Sequence, residues 1–136
     1  MPQTTENEMW LQAVAVREFA HCPYSGFAVG ACLESDTGEL FTGCNVENAT
    51  LGLTICAERV ALVKAVSHGA KRFRAVCVVT DTTAPTFPCG ACRQLLWEFG
   101  GDMRVMLGNK AGIMAEYHLQ ELFPHAFDGS SFTPLE

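Results

Sequence analysis

The segment RAVCVVTD, from Arg74 to Asp81, is an almost unbroken run of β-branched and small apolar residues. Such a run predicts a strand covered on both faces. A strand with no polar face needs structure above and below it, which restricts the chain to layered architectures. Helical patterns flank it on either side. Strong helix formers run over 57–66, with Gly69 as the stop, and a further helix is predicted over 89–99 after the loop TTAPTFP.

The remaining elements fit the same plan. Over 6–20, Met9, Trp10, Ala13, Val14 and Phe19 are spaced for an amphipathic helix that ends before His21, Cys22 and Pro23. FAVGACLES and ELFTGCNVE, joined by Asp36, Thr37 and Gly38, predict a hairpin. ICAERVALVKAVSHG is apolar nearly all round, which predicts a buried core helix. RVML, the turn GNKAG and IMAEY suggest a final hairpin, followed by a short helix over 118–122 and an irregular tail. The sum is an α/β fold, a three-layer α-β-α sandwich on a mixed five-stranded sheet, in one domain spanning 1–136.

Charge and hydropathy narrow the function classes. A net charge of −6 leaves no basic footprint for a nucleic acid strand. No apolar run reaches the ~18 residues that would span a bilayer, and the opening MPQTTENEMW has no targeting pattern, so a cytoplasmic location is expected.

Seven cysteines are many for such a chain. Cys32, Cys44 and Cys77 sit in apolar contexts that fit buried, inert thiols, and Cys22 before a proline is ordinary. Cys56, Cys89 and Cys92 differ, because each falls at a predicted helix start after a loop. The positive end of a helix favours thiolates there. Cys89 and Cys92, in TFPCGACRQ, lie on one helix face and can share an ion, with Cys56 as a third ligand. The C-x-x-C pattern alone also fits a redox pair or a structural metal site. Three protein ligands without a fourth is the pattern of a catalytic zinc. His68, His118 and His125 lack metal-ligand spacing and fit surface or capping roles. Glu58, acidic in the first turn of a core helix, is unexplained by either rival; alone it would fit a carboxylate complementing the helix dipole.

Together C-A-E and P-C-G-A-C resemble the zinc deaminase signature in its three-cysteine form. CPYSGFAVGA, GCNVENA, CAERVALVKAVSHG and PCGACRQ occur in that order, so the chain resembles the small homotetrameric cytidine deaminases along almost its whole length. The resemblance implies one Zn²⁺ per subunit on Cys56, Cys89 and Cys92, with Glu58 as proton shuttle. It implies hydrolytic deamination of cytidine and 2′-deoxycytidine, a reaction of pyrimidine salvage, with zinc activating a water for attack at C4. Asn45 and Glu47 match residues that hydrogen-bond the ribose, Phe27 an aromatic that packs on the pyrimidine, and Ala57 a backbone contact to the base. Tyr24 and Phe127 resemble residues contributed across subunit contacts, and Arg59 an arginine that hydrogen-bonds the zinc thiolates.

Rivals stay in view. Blasticidin S deaminases share the zinc motifs, but the resemblance to them weakens at NVEN and at Arg59. A nucleic-acid editing deaminase would need a basic channel, and a non-catalytic zinc module would leave Glu58 without a task.

Overall fold

A computed structural model describes residues 5–132. The elements run α1 (Thr5–Arg17), β1 (Val29–Ser35), β2 (Leu40–Cys44), a 3₁₀ turn (Leu51–Leu53), α2 (Ala57–Ser67), β3 (Phe73–Thr80), α3 (Gly90–Gly100), β4 (Arg104–Asn109), β5 (Gly112–His118), α4 (Leu119–Leu122) and a last 3₁₀ turn (Gly129–Phe132). They form a five-stranded sheet in the order β2-β1-β3-β4-β5, with β3 and β4 parallel and the other pairs antiparallel. The predicted mixed sheet is the one observed.

The β-branched run is the middle strand, and its alternation divides the core in two. Val76 and Val78 face α2 and α3 together with Leu33, Ala61, Leu62, Leu96 and Leu107. Ala75, Cys77 and Val79 face α1 together with Met9, Ala13, Cys32 and Met106. Helices therefore cover both faces, and Cys32 and Cys77 are buried thiols whose pKa values burial pushes up to about 12. Two glycines admit the helices. A Cβ at Gly30 would lie 2.0 Å from the Ala13 carbonyl oxygen of α1, and one at Gly43 would lie 2.5 Å from the Ala57 carbonyl oxygen of α2. Both approaches exclude any larger residue.

Two expectations need correction. The first helix stops at Arg17 rather than 20, because Glu18, Phe19 and Ala20 donate to Ala15, Val16 and Arg17. Those i→i−3 bonds tighten the chain into a turn, with Phe19 on the surface. The second helix is not buried all round. Its inner stripe is Ala57, Glu58, Ala61, Leu62 and Ala65, while Val63 and Val66 point outward and are exposed. Its apolar outer face carries no core contact, so burial within one chain does not explain its composition. Among the described residues, no helix is long and apolar enough to cross a membrane.

Candidate metal centre and active site

Cys56 and Cys89 are both helix N-caps in extended backbone, at φ −70°, ψ 154° and φ −68°, ψ 169°. Each cap carbonyl accepts the first helical bond, from Val60 and Arg93 respectively, which fixes the cap's position relative to its helix. The side chains are then free to point across the gap between α2 and α3. Cys56 Sγ lies 3.8 Å from Cys89 Sγ, and Cys89 Sγ lies 3.3 Å from Cys92 Sγ. All three sulfurs fall within 4.8 Å of one another, with no other ligand atom joining them among the described residues.

This donor set fits zinc. Sulfurs on a tetrahedron about 2.3 Å from a central ion stand about 3.8 Å apart. The chemistry of the thiols agrees. Hydrogen bonding from the Cys92 thiol, aided by Arg59 and Cys89, brings Cys56 down to about 5, while the same pairing and burial push Cys92 up. Three thiolates cannot sit this close unless a cation offsets their repulsion. A divalent ion on three donors keeps one tetrahedral position for water or substrate.

Glu58 is in the first turn of α2 and is buried, 5% exposed, against the same site. Burial, reinforced by the Cys56 charge, pushes its carboxyl up to about 7 despite a backbone hydrogen bond that favours the anion. A carboxyl titrating near neutrality can both accept and deliver a proton. Arg59 turns back along the loop instead. Its Nη2 donates to the Thr54 carbonyl at 3.0 Å and to Cys56 Sγ at 3.8 Å, and its buried Nε has no hydrogen-bond partner among the described residues.

Cys56, Cys89 and Glu58 line a cavity of about 330 Å³, within the ~300–1,000 Å³ of small-molecule sites. Its walls include Phe27, Asn45, Glu47, Ala57, Thr80 and Phe87. Val46 pairs with Ile55 in a two-way antiparallel bridge, and His21 donates to Asn45 and accepts from Glu47. These bridges bring Asn45 and Glu47 beside the segment that leads into Cys56. Asn45 is buried: its Nδ2 donates to the Phe27 carbonyl at 2.7 Å and its Oδ1 accepts the Val29 N–H at 2.9 Å. One Nδ2 hydrogen is left over. Ala57 is the first residue of α2, so its N–H is among the amides that have no carbonyl a turn behind.

Most of the residues singled out in the sequence therefore meet in one place. Tyr24 and Phe127 do not line this cavity; they are 57% and 56% exposed, Phe127 lying edge-on to Phe132. His68 follows α2 with its ring against Phe41, and His118 caps α4, so neither approaches the thiols. The sequence reading missed Ser25, Thr80, Thr86 and Phe87, all in the cavity wall. Phe87, whose ring centroid is 5.4 Å from that of Tyr117, was discoverable because it sits two residues before Cys89. The threonines look like ordinary strand-end and loop polarity, and nothing local marks them.

Comparison with known proteins agrees with this geometry. Residues 3–109 match the family model of the cytidine and deoxycytidylate deaminase zinc-binding region. A cytidine deaminase of Sporosarcina psychrophila is 49% identical over 112 residues, 82% of each chain. One of Halalkalibacterium halodurans is 49% identical over 117 residues, 85% of this chain and 89% of its own. The crystal structure of a cytidine deaminase from Burkholderia pseudomallei superposes with a TM-score of 0.87 at 44% identity, covering 91% of this chain and all of that one.

Proposed function

The chain belongs to the cytidine and deoxycytidylate deaminase family, and on that premise we propose that it hydrolyses cytidine and 2′-deoxycytidine to the corresponding uridines and ammonia. The observation that carries this reading is Glu58, a buried carboxyl pushed up to about 7, in the wall of the cavity that is also lined by Cys56 and Cys89 of the three-thiol cluster. A structural zinc module has no use for it.

Cys56, Cys89 and Cys92 would hold one Zn²⁺, which supplies an activated water at neutral pH. The chain's own residues do the rest. Glu58 takes a proton from the water and delivers it to ring N3, then takes the remaining proton from the new C4 hydroxyl and passes it to the departing amine at N4. Overall, water adds at C4 and ammonia leaves, so atoms and charge balance. Phe27 packs on the pyrimidine, and the Ala57 backbone N–H holds the base edge. Asn45 donates its spare Nδ2 hydrogen to a sugar hydroxyl, and Glu47 accepts from one. Arg59 donates to the Cys56 sulfur and withdraws part of its charge.

The protein acts as a homotetramer in this reading, with Tyr24 and Phe127 reaching sites on neighbouring subunits. Its support is the outward apolar side chains, Val63 and Val66 on α2 and Leu51 and Leu53 before it. The direct test is the loss of cytidine absorbance on adding purified protein, with and without a zinc chelator. Turnover that the chelator abolishes is expected; no turnover of either nucleoside by zinc-loaded protein rejects the function.

A further inference from the structure

The loop before β1 is folded onto one carboxylate. Tyr24 N–H and Ser25 N–H both donate to Glu47 Oε1, at 3.0 and 3.1 Å, and the Ser25 hydroxyl donates to Glu47 Oε2. The same Ser25 oxygen accepts the Phe27 N–H at 3.0 Å. Gly26, at φ +68°, closes the turn by donating to the Cys22 carbonyl at 2.9 Å. Ser25, Phe27 and Glu47 all line the cavity.

A carboxylate offers about four lone-pair directions. The two backbone amides fill Oε1, and the Ser25 hydroxyl takes one direction of Oε2. A single acceptor direction is left, on the oxygen that the hydroxyl holds. We propose that Ser25 is a positioning residue for substrate, its hydroxyl fixing the rotation of the Glu47 carboxylate so that this last acceptor direction of Oε2 is presented to a sugar hydroxyl.

The terminal torsion of a glutamate is broad, so two amides on Oε1 do not by themselves set where Oε2 points. The third donor does. Hydrogen bonding from Ser25 also holds the Glu47 carboxyl below its ordinary range, so it remains an acceptor at neutral pH. Ser25 touches no reacting atom, and its contribution falls on sugar recognition rather than on the bond-making steps.

This inference rests on the nucleoside deaminase reading, which turnover of cytidine by the unaltered protein tests separately. The experiment measures kcat and KM for cytidine in the zinc-loaded protein and in Ser25→Ala, Glu47→Ala and the double variant, with zinc content and Tm as controls. Ser25→Ala is expected to raise KM about tenfold, as for loss of one hydrogen bond to a charged group, with kcat changing less than about threefold. In the Glu47→Ala background the same change should cost under about twofold. An unchanged KM in Ser25→Ala would overturn the proposal, as would an equal cost in both backgrounds, since a loop merely damaged by the substitution loses the same in each. Use of 2′,3′-dideoxycytidine gives a second reading from the substrate side: its sugar has no ring hydroxyl to offer Glu47, so Ser25→Ala should raise its KM far less than that of cytidine. An equal rise for both nucleosides would count against the proposal.

Discussion

Cys56 and Glu58 serve one cavity although they are two residues apart at a helix start. On a regular helix an i, i+2 pair points about 200° apart. The conflict is removed because Cys56 is the cap, in extended backbone at ψ 154°, and only Glu58 is helical. The thiol therefore joins Cys89 across the gap while the carboxyl turns inward beside it. Glu58→Gln keeps the shape of the side chain and removes its proton-transfer capacity. It should retain zinc at the level of the unaltered protein and lose at least ~10² of kcat for cytidine, the scale of general acid–base catalysis. Metal analysis alongside a turnover assay checks both halves.

The same carboxyl gives a pH dependence of known sign. Its folded pKa is raised from 4.5 to about 7, so folding favours the protonated form. The stability it contributes is complete below pH 4.5 and is lost as pH rises through 7, by about 3 kcal/mol in total. In zinc-free protein, Glu58→Gln should match the original near pH 5 and be the more stable of the two at pH 8 to 9. Thermal melts at the two pH values decide it. A variant with the same relative stability at both would show that Glu58 is ionised without penalty.

Much of this was legible in the sequence because the informative patterns are local. The strand at Phe73–Thr80 announced two covered faces by composition, and the helix starts at Cys56 and Cys89 followed from their loops. What local pattern cannot carry is long-range placement. Nothing near Ser25 says that its hydroxyl meets Glu47, 22 positions away. Val63 and Val66 differ from expectation for a related reason: apolar residues on all sides of a helix predict burial inside one chain, whereas the outer face is exposed. Periodicity reports that a surface is apolar without saying what covers it.

Arg59 is the one cation bonded to the thiol cluster among the described residues. Three thiolates and Zn²⁺ sum to −1, and the guanidinium offsets that excess at Cys56. Arg59→Ala should fold, since the side chain's other bond is a single one to the Thr54 carbonyl at the rim. It should lower kcat/KM or zinc affinity about 10- to 100-fold, as expected when a partner of a ligand is removed. Unchanged turnover with full zinc occupancy would show that the charge on the sulfurs needs no offset.

The close approach at Gly43 ties the sheet to the metal site. A Cβ there would stand 2.4 Å from the Ala61 N, 2.5 Å from the Ala57 carbonyl oxygen and 3.0 Å from the Val60 Cβ. Two of these are backbone atoms of α2, which cannot rotate away, so Gly43→Ala must push the helix off β2. Because Cys56 caps that helix and Glu58 sits in its first turn, the displacement reaches two of the four central groups while Cys89 and Cys92, on α3, stay behind. Overpacking of this kind costs typically ~1–3 kcal/mol. A lower Tm together with weakened zinc retention against a chelator is therefore expected of Gly43→Ala. Gly129→Ala, where an added Cβ meets nothing within 4 Å, should change neither. Loss of stability with zinc retention intact would mean that the helix start moves independently of its packing on the sheet.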